Sequence, residues 1–158
     1  EAATKQLTAS ALVAELHRWG FQHLGPGARK SLRQKMSTCL DDAGQVRWKE
    51  LFGSSSAPKL ELGAGSGEWV AAQASADPAV SWVALELMRD RAHSIVRRAV
   101  AKELPNLSIF SGDALDMLRL LFPSASISHV FVNFPEPPFV SGNESAESSF
   151  HMMTSDLF

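Results

Sequence analysis

The rhythm of apolar and polar positions changes twice along the chain. Between Thr8 and Gly20, the residues Leu12, Val13, Leu16 and Trp19 recur at the spacing of one helix face. Thr8 or Ser10 could cap that helix and Gly20 would stop it. Gly25-Pro26-Gly27 marks a turn. Leu32, Met36 and Leu40 then predict a second helix, with Arg29, Lys30, Arg33 and Lys35 on its other face. Gly53-Ser54-Ser55-Ser56-Ala57-Pro58 reads as a short linker. Beyond it, short apolar runs alternate with helical periods. Strands are predicted over 59–62, 80–86, 107–110 and 129–133, and helices over 68–75 and 114–121. Between the second and third strands Met88, Ala92, Ile95, Val96, Ala99 and Val100 follow a helical stripe, with Arg89, Arg97, Arg98 and Lys102 largely off it. Strand-helix alternation of this kind implies an α/β fold with a parallel sheet and right-handed crossovers. The expected organisation is a helical N-terminal segment over 1–52 and an α/β domain over 53–158.

Composition narrows the class. The chain has 158 residues, 45% of them apolar and 20% charged, as in ordinary globular domains. No apolar run approaches the roughly 20 residues of a membrane helix. A single cysteine, Cys39, excludes an internal disulfide and fits a reducing compartment. His17, His23, His93, His129 and His151 show no metal-ligand spacing with Cys39 or the acids, so no metal is expected. Charge is uneven: residues 1–50 carry eight Lys/Arg against five Asp/Glu, and residues 51–158 seven against twelve. The Arg29, Lys30, Arg33 and Lys35 face is either a solvated helix surface or a phosphate-contacting patch.

The densest chemical signal is Glu61-Leu62-Gly63-Ala64-Gly65-Ser66-Gly67-Glu68. A strand runs into three alternating glycines and a helix follows. This arrangement permits a tight turn, lets a ligand lie against the backbone and offers N–H groups at a helix start. The G-x-G-x-G spacing is neither the dinucleotide G-x-G-x-x-G nor a P-loop. Glu86 ends the second strand, where an acid can accept both hydroxyls of a ribose. Asp113 follows the third strand and could cap the next helix or accept an adenine amino group. Trp82, Phe131 and Phe134 read as core.

These segments, with Ala84-Leu85-Glu86-Leu87-Met88-Arg89-Asp90-Arg91, Ser111-Gly112-Asp113-Ala114 and Val132-Asn133-Phe134-Pro135-Glu136-Pro137, resemble in order and spacing the tRNA (guanine-N7)-methyltransferases. The resemblance covers about residues 58–138. It implies a Rossmann-like class I methyltransferase fold with strand order 3-2-1-4, S-adenosylmethionine as cofactor, and tRNA or another RNA as substrate. It implies that Glu61, Glu86 and Asp113 contact the cofactor beside Gly63, Gly65 and Gly67, and that Glu136 takes the place of the family's catalytic aspartate. The family's tryptophan and basic cluster after that acid are replaced here by Pro138-Phe139-Val140-Ser141-Gly142.

Four strands stand where class I methyltransferases have about seven. The sheet is therefore expected to be incomplete, with strand 129–133 covered by residues beyond 158, a second copy or a different subunit. A catalytically degenerate methyltransferase-like scaffold in a ribonucleoprotein is the alternative to an enzyme. A cytoplasmic, nuclear or organellar location fits either.

Overall fold

The computed structural model describes Gln34 and residues 37–133. Four strands run in the order β3-β2-β1-β4: β1 is Lys59–Leu62, β2 Trp82–Glu86, β3 Leu107–Ser111 and β4 His129–Val132. All three pairings are parallel. The register sets Glu61 beside Ala84 and Phe131, and Glu86 beside Ser111. Every strand therefore ends at the same edge, as strand-helix alternation requires.

Helices cover both faces. Because side chains alternate along a strand, Trp82, Ala84, Leu107 and Ile109 face one way. They meet α2 (Glu68–Ala76) and α3 (Arg89–Ala101) through Val70, Ala71, Ala74, Ile95 and Ala99. Leu60, Leu62, Val83, Leu85 and Phe110 face the other way, onto Val46, Trp48, Leu121 and Phe122. The short α1 (Trp48–Phe52) thus lies on the domain core. The Trp48 ring contacts Phe52, Phe110 and Phe122 and donates from Nε1 to Ser126 Oγ at 2.9 Å.

Several elements differ from the sequence pattern. Leu40 is not helical: the Asp41 carboxylate accepts from the Ala43 and Gln45 amides, turning the chain so that Leu40 bridges Val46 antiparallel. The second strand starts at Trp82, not Val80, because the Val80 amide closes a turn onto the Asp77 carbonyl and Asn106 Nδ2 donates to the Val80 carbonyl. The helix after β3 is α-helical only over Ala114–Asp116 (α4). It widens to a π-helix over Met117–Leu121, where the Phe122 amide donates to the Met117 carbonyl. Met88, predicted to open the helical stripe, is instead the extended residue before α3, and it and Val100 are exposed. The predicted helix over 8–20 and the loop over 141–149 lie outside the described residues. Among the described residues no helix is long and apolar enough to cross a membrane.

Candidate functional site

The carboxyl edge of β1, β2 and β3 gathers the chemistry. Gly63 and Ala64 both donate to the Leu85 carbonyl, at 2.8 and 3.2 Å, which draws the glycine loop over the end of β2. Gly112 donates to the Glu86 carbonyl at 3.1 Å and closes β3 onto the same point. Gly63, Gly65 and Gly67 are all left-handed. At Gly67 (φ +75°) a side chain is excluded twice: by the backbone, and because a Cβ would lie 2.7 Å from Ile95 Cγ1 and Cγ2. That closeness seats α2 on α3. Gly65 (φ +56°) is the opposite case: nothing lies within 4 Å of where its Cβ would stand, so the loop is open on that side.

Glu86 is 4% exposed and its two oxygens are divided. Oε2 accepts from the Gly65 amide at 2.7 Å and Oε1 from the Met88 amide at 2.8 Å. Gly65 therefore gives its N–H to Glu86. Each oxygen retains a second lone pair for a hydroxyl donor.

Glu61 is 3% exposed, on the same face as Glu86. Its Oε1 accepts from Asn133 Nδ2 at 2.9 Å, while Oε2 has no hydrogen-bond partner. Burial pushes its carboxyl above the usual value. The Asn133 amide and the Val70 backbone amide, in the first turn of α2, pull it back, and the neighbouring Glu86 pushes it up. The Val70 amide faces the carboxylate without closing a hydrogen bond onto Oε2. A second buried polar atom without a partner, Ser111 Oγ, ends β3 in register with Glu86. Buried polar groups are paired as a rule, so two orphans at one edge beside an open glycine loop fit a polar ligand with hydrogen-bonding groups.

Asp113 is exposed and caps α4: its Oδ1 accepts from the Leu115 and Asp116 amides at 2.9 and 3.2 Å. The edge thus unites Glu61, Gly63, Gly65, Gly67, Glu86 and Asp113. Asn133 and Ser111, which the sequence reading passed over as site residues, join them. Their roles depend on β4 lying beside β1 and β3 beside β2, which local sequence does not reveal. Glu136, Phe134, Arg29, Lys30, Arg33 and Lys35 lie outside the described residues. Among the described residues no cluster of His, Cys, Asp and Glu could hold a metal ion.

A parallel 3-2-1-4 sheet with a glycine loop after β1 and acids ending β1 and β2 defines a Rossmann-like methyltransferase domain. Comparison with known proteins agrees. The sequence model of the family described as "Putative methyltransferase" matches residues 56–141, and the chain belongs to that family. Among curated relatives, a tRNA (guanine-N(7)-)-methyltransferase of Chlamydia felis is 37% identical over 90 residues, covering 57% of this chain and 40% of the relative. Proteins of the same name from Listeria innocua and Lactobacillus helveticus are 30% and 34% identical over 91 and 97 residues. They cover 58% and 61% of this chain, and 42% and 44% of the relatives. The matched stretch thus spans about two fifths of these relatives.

Proposed function

We propose that this chain is the cofactor-binding part of an S-adenosylmethionine-dependent tRNA (guanine-N7)-methyltransferase. The observation that carries the reading is the pair of buried acids Glu61 and Glu86 at the glycine loop, with Glu61 Oε2 unpaired. A ribose would be held by Glu86, an adenine would lie near Asp113, and a cationic group would meet Glu61. When bound, the cofactor supplies a methyl group on a positively charged sulfur. The names of the curated relatives support guanine N7 in tRNA as the acceptor.

Guanine N7 carries a free lone pair, so no side chain has to remove a proton before transfer. The protein's task is to free the base from its stack and hold it in line with the methyl. Glu136 is assigned the second part: its carboxylate holds the base through N–H donors and offsets the positive charge that develops on the purine. Arg29, Lys30, Arg33 and Lys35 are assigned to phosphates, a contact that weakens as salt rises. Strand β4 pairs only with β1 among the described residues, and Val130 is 49% exposed. An unpaired apolar strand edge invites a partner, so β4 is covered by further chain, a second copy or another subunit. Slow amide exchange over 129–132 in the whole protein is the corresponding sign.

The test of activity is incubation of the protein with total RNA and methyl-labelled S-adenosylmethionine, followed by nucleoside analysis. The proposal expects label in tRNA as 7-methylguanosine. Label in another nucleoside, in protein or in a small molecule would overturn it.

A further inference from the structure

Glu61 and Glu86 form a buried acidic pair, and among the described residues the polar partners shown for them are amides rather than cations. Both are almost completely shielded from water, on adjacent strands and on one face of the sheet. From β2 Glu61 meets Glu86, its register neighbour on β4 is Phe131, and just past β4 it meets the neutral Asn133 amide. From α2 it meets the Val70 amide. Two basic groups of the flanking elements are engaged elsewhere. Arg98 of α3 binds Glu68 and the Ser66 carbonyl, at 3.3 and 3.4 Å. Lys59, at the far end of β1, lies over the Trp82 ring. Of the charged groups among the described residues, only Glu86 acts on Glu61 through charge, and it acts unfavourably.

A buried carboxylate in such surroundings is stabilised by a cation or else takes up a proton. Asn133 decides how. Its amide donates to Oε1 alone, leaving Oε2 as the oxygen with no partner, the one better placed to bind a proton or accept from a cationic N–H. We propose that the site binds a ligand's ammonium group in competition with a proton: Glu61 Oε2, the unpaired oxygen, takes up one or the other, and a proton held there is released to solvent when the cation arrives. Asn133 is the positioning residue that presents Oε2. This rests on the cofactor reading above and adds to it a linkage between binding and pH. The carboxyl is raised in the free protein and lowered beside a cation. Proton release therefore occurs between those two values, and binding tightens as pH rises through them.

The test compares two ligands on the full chain: S-adenosylhomocysteine, which carries an ammonium group, and 5′-methylthioadenosine, which keeps the adenosine thioether but lacks the amino-acid end. Carbon-13 NMR follows the Glu61 carboxyl, assigned by its loss in Glu61→Gln. Calorimetry in two buffers of different ionisation heat counts protons. The free protein should show Glu61 titrating above 4.5. S-adenosylhomocysteine should lower that midpoint and release up to one proton, with affinity rising up to about tenfold per pH unit across the window. Methylthioadenosine should do neither, and Glu61→Gln should bind without proton exchange. Asn133→Leu should raise the free midpoint and carry proton release to higher pH, which a merely structural role would not do. Asn133→Asp should move it the same way and serves if the leucine variant misfolds. Binding without proton release, equal release by both ligands, or a free midpoint at or below the ordinary value would overturn the proposal while leaving the cofactor reading intact. Failure of both ligands to bind would overturn the cofactor reading, and the linkage with it.

Discussion

Replacing Gly67 by alanine separates two kinds of glycine in one loop. Gly67 has φ +75° and faces Ile95, whose Cγ1 and Cγ2 would lie 2.7 Å from the new Cβ and whose Cβ would lie at 3.0 Å. Left-handed backbone costs an L-residue about 1–2 kcal/mol. Forcing a methyl group into a packed contact adds about 1–3 kcal/mol. Ile95 is fully buried, and its side chain cannot swing into solvent without opening the α2–α3 contact. The sum is a loss of about 2–5 kcal/mol, a large part of the roughly 5–15 kcal/mol that stabilises a domain. Gly65→Ala is the internal control. Its φ is +56° with nothing within 4 Å, so only the backbone cost of about 1–2 kcal/mol applies. Urea unfolding followed by circular dichroism gives both values. A double-mutant cycle with Ile95→Ala completes the test: that variant alone loses about 2–5 kcal/mol by leaving a cavity. In combination it should restore part of the Gly67→Ala loss, since only the 3.0 Å contact with the residue-95 Cβ remains. Equal losses at the two glycines, or strict additivity with Ile95→Ala, would refute the steric account.

Three further outcomes follow from the same geometry. Glu86→Gln presents an amide where two backbone N–H groups require two acceptors; one buried donor is left unpaired, and unfolding in urea should show a loss of about 1–3 kcal/mol. Trp48→Ala removes three ring contacts and the Ser126 hydrogen bond, and should lower stability by about 3–5 kcal/mol, read from the same unfolding curves. Glu61→Gln should become increasingly stabilising relative to the parent as pH rises. A carboxyl raised in the folded state favours folding below its unfolded value and loses that contribution as pH passes the folded one, so the difference between the two urea midpoints should open above about pH 4.5.

β1 and β2 were readable because each is a short apolar run buried by helices on both faces, a pattern that survives in local sequence, and β3 and β4 keep the apolar run though they are less buried. Strand order came from the family resemblance, and the ladder bears it out. Limits appeared wherever a side chain redirected the backbone. Asp41 captures two amides and ends the predicted helix before Leu40, although Asp41-Asp42-Ala43-Gly44 is itself a turn signal. Asn106 donates to the Ala74, Asp77 and Val80 carbonyls and delays the start of β2. Periodicity also overstated burial on α3, where Val100 is 72% exposed. At the site, the glycine loop and Glu86 were visible from residue type and spacing, and Glu61 through the family resemblance. The division of the Glu86 oxygens between Gly65 and Met88, and the hold of Asn133 on Glu61, were not. Those contacts join residues 21 and 72 positions apart, or bend a carboxylate onto its own strand end.

The central claim is that a methyltransferase cofactor binds at the carboxyl edge of β1, β2 and β3, against Glu61 and Glu86. A nitrogen-15 NMR titration of the protein with S-adenosylhomocysteine tests it residue by residue. The account predicts saturable shifts at the backbone amides of Gly63, Gly65, Gly67, Leu87 and Gly112 and at the Asn133 side-chain amide. No shifts at millimolar ligand would contradict it. So would shifts gathered instead at Val96, Val100, Leu104 and Ile109, which line an open apolar groove between α3 and β3.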